Sequence, residues 1–266
     1  MIELGVNAIL FVGDDLETAF RHIAWAGYDG VEISAIEGHC ENLVLDNWKD
    51  QAGEIRRLSS DYGLKLLAME EALLDEERLM MAFEAAQALG IPVINIGPGG
   101  KSDDEEGFQK QTDLIAKMAD KALDYGVTLC VKAHVGQCIY NTQTTLRAMK
   151  KISSNGFAVD MDPSHIHRAG ENPAEALPPV LSRTRLIHIR DCKGRHPGPG
   201  KPEEQACGRG DLDLFAYCKA LVEGGYHGPV CLEVIGAEGY SVARKAIIAA
   251  ESYGYLNAIL KRLRAR

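Results

Sequence analysis

Short apolar runs with the character of β-strands alternate eight times with longer segments of helical periodicity along this chain. The strands that we predict are 2–9, 30–34, 64–69, 93–97, 127–134, 157–162, 185–190 and 229–235. The predicted helices lie near 15–26, 47–62, 75–89, 106–125, 142–154, 173–182, 211–224 and 240–264. Near-continuous apolar strands separated by helices indicate a parallel sheet that helices cover.

Eight such units in 266 residues predict a closed (β/α)8 TIM barrel, with residues 1–266 forming one domain. The alternative is an open, doubly wound sheet. The first strand–helix junction, NAILFVGDD, counts against it because it lacks the GxGxxG of a dinucleotide fold. The longest irregular stretch, residues 191–210, follows the seventh predicted strand, where a barrel places an active-site loop.

Several helix ends are marked by residues that favour terminal positions. Asp14 and Ser241 are predicted N-caps of the first and last helices. A glycine between a helix and the next strand suits the left-handed residue that ends a helix. The glycines in such positions are Gly27, Gly63, Gly90, Gly126 and Gly225.

Composition excludes several classes of partner. The formal charge of −9 and pI near 5.4 disfavour a nucleic-acid partner, which requires a basic surface. No apolar stretch reaches the roughly 18 to 20 residues of a membrane span, and no secretory leader is evident. Seven widely spaced cysteines without a CxxC pair fit reduced thiols. We therefore expect a cytoplasmic protein without nucleic-acid or membrane partners.

Polar residues late in apolar strands are the informative ones, because barrel enzymes assemble their chemistry at the carboxyl ends of the strands. Side chains alternate between the two faces of a strand. By this parity Lys132, Asp162, His188 and Glu233 converge from the fifth to eighth predicted strands. The Asp, His and Glu offer donors that suit Mn²⁺, Mg²⁺, Co²⁺ or Zn²⁺ in a site with open positions. Such an ion stabilises the enediolate formed when a base, for which Glu233 is the natural candidate, removes a proton next to a carbonyl.

Six motifs occur in a characteristic order: GVNAIL, AGYDGVEIS, DPSHI (162–166), HIRDCKG (188–194), GRGDLDL (208–214) and GYHGPVCLEVI (225–235). In them the chain resembles the xylose isomerase-like TIM barrels, which include sugar phosphate isomerase/epimerases, ketose 3-epimerases, inosose dehydratases and DNA-repair enzymes of the endonuclease IV type. The resemblance implies that Asp162, His188 and Glu233 are metal ligands, that Glu233 is also a catalytic acid/base, and that His165 touches substrate or metal. It also implies a homodimer or homotetramer.

Lys132 departs from the pattern of this family. At the end of the fifth strand the family commonly has a Glu that ligates the metal, followed two residues later by a His. His134 is kept here, but Lys132 replaces the Glu. Exchanging a ligating carboxylate for a cation reverses the local charge by two units, and repulsion from a divalent ion at ~4 Å costs several kcal/mol.

Four interpretations of Lys132 follow. It replaces the metal electrostatically, pairing with Asp162 and Glu233 while it polarises a substrate carbonyl or carboxylate or acts as an acid/base. Alternatively, a metal stays on the Asp, His and Glu, and Lys132 binds an anionic substrate group beside it. In the third it forms a Schiff base with a carbonyl substrate. In the fourth it is a structural residue paired with Asp160.

Other polar residues have both a functional and a structural interpretation. His134 and His165 either contact substrate or hold local backbone. Glu32 and Glu70 either line the pocket or form surface salt bridges. The loop after the seventh strand is basic, and its cations either clamp a substrate phosphate or carboxylate or are solvated. The cations in and next to this loop are Arg190, Lys193, Arg195, Lys201 and Arg209.

The function that we predict is isomerisation or epimerisation of a small sugar, sugar phosphate or sugar acid by proton transfer next to a carbonyl, with a divalent metal as the expected cofactor. The alternatives are a dehydratase or lyase that uses Lys132, and a sugar-binding or accessory protein whose active centre has decayed. A DNA-repair nuclease fits poorly, since the chain is acidic and has only eight histidines.

Overall fold

A closed barrel of parallel strands forms the centre of the protein in the computed structural model, which describes all 266 residues. The strands are β1 (Glu3–Asn7), β2 (Gly30–Ile36), β3 (Cys40–Glu41), β4 (Lys65–Ala72), β5 (Val93–Ile96), β6 (Thr128–Lys132), β7 (Phe157–Asp160), β8 (Thr184–Ile189) and β9 (Pro229–Leu232). All except β3 pair in parallel with their neighbours in chain order, and β1 pairs with both β2 and β9. This closure confirms the TIM barrel and excludes the open sheet.

Helices surround the barrel. They are α1 (Leu16–Ala26), α2 (Trp48–Tyr62), α3 (Glu76–Leu89), α4 (Glu105–Asp124), α5 (Thr142–Lys151), α6 (Pro163–Arg168), α7 (Pro173–Ala176), α8 (Pro202–Gln205), α9 (Leu214–Glu223) and α10 (Val242–Arg262). Single turns of 3₁₀ helix cover Ala8–Phe11 and Leu45–Asn47, and a longer one covers Pro178–Arg183. None of the helices combines the length and the apolar character that crossing a membrane would require.

The structure differs from the predicted elements at four places. The predicted helix 173–182 is divided, because Pro178 and Pro179 remove two backbone donors and end α7. The short helix α6 follows β7 directly, and α8 lies within the predicted loop 191–210. The additional strand β3 forms an antiparallel hairpin with the end of β2.

Helix capping follows the predictions with one exception. All five predicted glycines have positive φ, from 64° at Gly63 to 101° at Gly27. The Ser241 side chain caps α10 by accepting from the Arg244 amide. The prediction of Asp14 as the cap of α1 is wrong: Asp15 accepts from the Thr18 amide at 2.7 Å. Asp14 instead pairs with the buried Lys245 ammonium at 2.7 Å.

The barrel lumen changes from apolar to polar along the strands. Its floor consists of Leu67, Ala68, Val93, Cys130, Ala158, Leu186 and Cys231. A second, larger core packs the outer faces of the strands against the helices. Gly5 and Gly30 have no side chain to compete with Leu67, since a Cβ at either position would lie 2.7 Å from its Cδ1 atom.

Gly30→Ala tests how tightly this floor is packed. The added methyl would lie 2.5 Å from the Lys65 carbonyl oxygen, so the strand must shift. We expect a loss of about 1–3 kcal/mol in the free energy of unfolding, measured by urea denaturation. Gly53→Ala is the control, because its site in α2 is open and exposed, and it should stabilise by about 0.5–1 kcal/mol. Equal stabilities for the two variants would contradict the packed floor.

Candidate active site

Polar side chains form the next layer of the lumen above the apolar floor. The members of this layer that lie two residues beyond a floor residue along the chain are Glu70, Asn95, Lys132, Asp160, His188 and Glu233. Because side chains two apart point to the same face, the alternation that builds the floor also aims these groups inward. Asp162, Arg190 and His134 follow two positions later and lie nearer the mouth. The predicted parity is therefore the one that the barrel has.

The Lys132 ammonium lies between two carboxylates. Its Nζ donates to Glu233 Oε1 at 2.7 Å and to Glu70 Oε1 at 3.0 Å. The other Glu70 oxygen accepts from the Asn7 amide at 2.6 Å. All three charged side chains are about 95% buried. The expected pairs of Lys132 with Asp162 or Asp160 are wrong, since neither carboxylate forms an ion pair with Nζ.

Arg190 bridges two other members of the predicted constellation. Its Nη2 lies 2.9 Å from Asp162 Oδ2, and its Nη1 lies 3.0 Å from Glu233 Oε2. Its Nε donates to the Ser164 hydroxyl at 2.9 Å. Glu233 therefore faces two cations, one on each oxygen.

His188 is the centre of a deeper acidic cluster. Its Nε2 lies 2.6 Å from Glu32 Oε2, and its Nδ1 lies 3.1 Å from Asp160 Oδ2 and 3.6 Å from Glu233 Oε2. Glu32, Asp160 and His188 are fully buried. The surface salt bridges considered for Glu32 and Glu70 are therefore wrong, because both carboxylates lie inside the barrel.

Burial and neighbouring charges separate the pKa values of these groups. Burial raises the pKa of Glu70 to about 7, although Lys132 acts in the opposite direction. Burial alone would raise the pKa of Glu233, but Arg190, Lys132 and His188 hold it well below its usual range. Burial lowers the pKa of Lys132, but Glu233 and Glu70 outweigh it and raise the pKa above its ordinary value. A permanently protonated amine counts against the Schiff-base interpretation, which requires a neutral nucleophile.

Two histidines stand at the mouth with their rings 4.2 Å apart. His134 Nδ1 donates to the Val135 carbonyl at 2.9 Å, which leaves Nε2 as an acceptor. Burial and Lys132 lower the pKa of His134 to about 4, so the ring is neutral at pH 7. His165 Nδ1 accepts from the Val135 amide at 3.2 Å, and its Nε2 lies 3.0 Å from Arg190 Nη2.

Two groups of side chains have the donor types to hold a divalent ion. Asp162 Oδ2, His188 Nδ1 and Glu233 Oε2, which belong to the three predicted metal ligands, are buried and make no hydrogen bond. Arg190 nevertheless lies within ion-pair distance of both carboxylate oxygens. Asp162 uses its other oxygen to cap α6 through the Ser164 amide at 2.7 Å. Glu32, Glu70 and His188 form a second group whose ligand atoms lie within 4.8 Å of one another. Lys132 and Asn7 already contact both oxygens of Glu70, so each group is partly occupied by the protein's own side chains.

A pocket of about 340 Å³ opens above this layer. Its polar wall includes Glu70, Lys132, His134, Gln137, His165, Arg168, Arg190 and Glu233, and Pro197, Gly198 and Pro199 border it from the loop after β8. The volume falls within the range of small-molecule sites. Three of the predicted substrate-binding residues, His134, His165 and Arg190, thus line this pocket.

Two predicted substrate-binding residues lie outside the pocket. Arg209 pairs with Glu251 on α10, and Lys193 is exposed, with its Nζ 4.0 Å from Glu204. Basic composition alone did not reveal which loop cations turn inward. Arg168 also lines the pocket but was not predicted, although it lies about one helical turn after the DPSH motif. Glu70 was predicted only as one of two alternatives, a pocket residue or part of a surface salt bridge.

Comparisons with known proteins agree with the barrel. The family model described as xylose isomerase-like TIM barrel matches residues 20–256. An inosose isomerase of Halalkalibacterium halodurans is 25% identical over 238 residues, covering 84% of this chain and 83% of that protein. An inosose dehydratase of Clostridium botulinum is 23% identical over 272 residues, covering 87% and 89%. The crystal structure of an IOLI protein with a bound zinc atom superposes with a TM-score of 0.79 at 19% identity, covering 98% and 99%.

The fold and the site thus define a (β/α)8 protein with an inward cluster of acids, histidines and cations. The chain belongs to the xylose isomerase-like TIM barrel family.

Lys132→Met tests the buried pairing. Removing the ammonium leaves the buried Glu70 without a cation and Glu233 with Arg190 alone, so we expect a loss of about 3–5 kcal/mol in the free energy of unfolding at pH 8. The loss should be smaller at pH 5, because protonation neutralises the carboxylates. Lys219→Met removes an exposed pair with Glu223 and should change stability by less than about 0.5 kcal/mol. Equal effects of the two substitutions in denaturant titrations would show that Lys132 is not a buried counterion.

Proposed function

We propose that this chain is an isomerase or epimerase that moves a proton next to the carbonyl of a small sugar or sugar-derived substrate. The observation that carries the proposal is the pair of carboxylates, Glu70 and Glu233, on either side of the Lys132 ammonium at the pocket. Proton transfer at carbon needs a base and a group that stabilises the enediolate oxygen. The pocket supplies both.

Glu70 is the better base of the two carboxylates. A general base works best when its pKa lies near the operating pH, and the pKa of Glu70 is about 7. In the proposed step Glu70 takes the proton from the carbon next to the carbonyl, and the electron pair of that bond moves to the carbonyl oxygen. Returning the proton to the adjacent carbon, while the hydroxyl proton moves from one oxygen to the other, gives the isomer. The epimer forms when one carboxylate takes the proton and the other group delivers one to the opposite face. In that case the ionised Glu233 is the base and Glu70, which titrates near neutral pH, is the acid.

Lys132 stabilises the developing negative charge. Its ammonium is desolvated, protonated and already oriented by Glu233 and Glu70, so little reorganisation is required during the reaction. Arg190 keeps Glu233 ionised and in place. His134 Nε2 is positioned to accept a hydrogen bond from a substrate hydroxyl.

A divalent ion, where present, would be held by Asp162, His188 and Glu233. It would supply a Lewis acid that polarises the substrate oxygens. Lys132 and Arg190 lie against the same carboxylates, and their charges weaken the attraction for such an ion. We therefore propose a weak metal site beside a resident ammonium.

Dehydration is the second candidate function. It starts with the same proton abstraction, after which the enediolate expels a hydroxyl from the next carbon. Glu70, which then carries the abstracted proton, returns it to the leaving hydroxyl, so that water departs. The Lys132 ammonium favours this route because it can donate a hydrogen bond to the leaving oxygen while it keeps its own charge. NMR of the products distinguishes the two outcomes, since only dehydration gives an unsaturated or deoxy product. Cytoplasmic location and homo-oligomeric assembly stay predictions.

The base assignment predicts a pH profile. Exchange of a substrate C–H for deuterium from solvent, followed by proton NMR across a sugar panel, should appear with the native protein. Because Glu70 acts when deprotonated, kcat/KM should rise about tenfold per pH unit below 7 and level off above it. Glu70→Gln should reduce kcat about 100-fold to 10,000-fold.

Glu71→Gln is the matched control for this prediction. Burial also raises the pKa of Glu71 to about 7, but this carboxylate faces away from the lumen and pairs with Arg78. The pH profile of its folded form should match that of the native protein. A profile that Glu70→Gln leaves unchanged, or the absence of exchange with every sugar both with and without metal, would refute the proposed chemistry.

Lys132→Glu should increase the affinity for Mn²⁺. The substitution removes a cation next to the site and restores the carboxylate of the family pattern. We expect binding at least tenfold tighter by isothermal titration calorimetry, and a melting temperature that falls without metal and recovers with it. Unchanged or weaker Mn²⁺ binding would show that Lys132 does not adjoin the metal position. Lys219→Glu, on the outer surface, should leave Mn²⁺ binding as in the native protein.

A further inference from the structure

Arg168 is a buried cation without a counterion. It is the last residue of α6, and only 9% of its surface is exposed. Its Nε donates to the Ser164 carbonyl at 3.1 Å, and its Nη1 donates to the Pro197 carbonyl. Its Nη2 is buried and has no hydrogen-bond partner. No carboxylate lies within 4.0 Å of the guanidinium.

The other buried cations differ from Arg168 in this respect. Lys132 contacts Glu70 and Glu233, and Arg190 contacts Asp162 and Glu233. The other two also have acidic partners, Glu71 for Arg78 and Asp14 for Lys245. A buried charge without a partner is costly, and burial accordingly lowers the pKa of Arg168. Among the buried cations only Arg168 lacks a carboxylate partner, and it lies in the wall of the pocket.

The position of Arg168 shows what its partner would be. Its Nη1 is tied to Pro197, so the guanidinium joins α6 to the loop that borders the pocket. Glu70 and Glu233, the acidic residues in the pocket wall, are already occupied by Lys132, Asn7 and Arg190. An anion for Arg168 therefore has to come with the ligand.

We infer that the substrate carries a carboxylate and that Arg168 binds it, so that the enzyme acts on a sugar acid rather than on a neutral sugar. That the enzyme converts such a substrate rests on the proposed function, whereas the binding of a carboxylate by Arg168 does not. One free guanidinium nitrogen and one uncompensated positive charge match a monoanionic carboxylate. A phosphate dianion would leave excess negative charge in a pocket whose other cations are paired.

Three matched ligands test the inference directly. Glucuronate, glucose and glucose 6-phosphate share one ring and differ at the sixth carbon, and the galacto and manno series repeat the comparison. By calorimetry with the native protein, the uronate of at least one series should bind at least tenfold more tightly than its neutral sugar. Arg168→Gln should weaken binding of the uronate about tenfold to 100-fold and leave the neutral sugar unchanged. Arg168→Lys, which keeps the charge, should recover part of the loss.

Arg185→Gln is the control variant. Arg185 is exposed near the start of β8, and like Arg168 it donates only to backbone carbonyls, those of Ser182 and Thr184. Its substitution should leave uronate binding unchanged. Thermal melts of all three variants establish that they are folded at the assay temperature. If Arg168→Gln does not fold, the comparison of Arg168→Lys with the native protein decides. Weaker uronate binding with unchanged neutral-sugar binding supports the contact, and equal uronate affinity overturns it.

The outcomes separate this inference from the proposed function. Uronates that bind no more tightly than neutral sugars overturn the inference, whether or not the neutral sugars exchange a proton. A 6-phosphate that binds more tightly than the uronate overturns the carboxylate assignment. Uronate binding that depends on Arg168 supports the inference even if the protein exchanges no C–H proton of the uronate. That combination would refute the proposed reaction and leave the binding inference intact. In an active enzyme, Arg168→Gln should raise KM and leave kcat nearly unchanged, because the contact is the same in ground and transition states.

Discussion

The Lys132 ammonium, held between Glu70 and Glu233 inside the barrel, is the interaction on which the candidate site depends. It is the cation that Glu70 pairs with and one of the two that Glu233 pairs with, and it places a fixed positive charge at the pocket. With Arg190 on the other side of Glu233, it also determines which carboxylate stays ionised and which one titrates near neutral pH. One cation thus links the stability of the lumen to its chemistry.

The exchange of a carboxylate for a lysine changes how such a site can work. A site with four anionic or neutral donors attracts a divalent ion, whereas this one already contains two cations against its carboxylates. Under the proposed function, Asp162, His188 and Glu233 would hold such an ion only weakly, because Arg190 contacts both carboxylates. The ammonium and a weakly held ion can therefore share the work of stabilising an enediolate, and neither excludes the other.

The barrel and the inward residues of its later strands were predictable because strand parity is a local property. The alternation that buries Cys130, Leu186 and Cys231 also directs Lys132, His188 and Glu233 into the lumen. Which carboxylates pair with Lys132 was not predictable, because the pairing depends on distances across the lumen. Glu70 reaches Lys132 from a strand 62 residues earlier in the chain, and nothing near either residue indicates this. The loop cations were misplaced for a similar reason: Arg209 finds Glu251 on the last helix, a contact that only the closed barrel creates.

An NMR titration of Lys132 Nζ tests the central claim most directly. In protein labelled with ¹⁵N at the lysine side chains, Lys132→Met assigns the resonance by its disappearance. If two carboxylates hold the ammonium inside the barrel, the signal stays that of a charged amine up to pH 10, and Glu233→Gln lowers its titration midpoint. A native signal that titrates to the neutral amine below pH 9 would contradict the pairing, and with it the assignment of Lys132 as the permanent positive charge of the site.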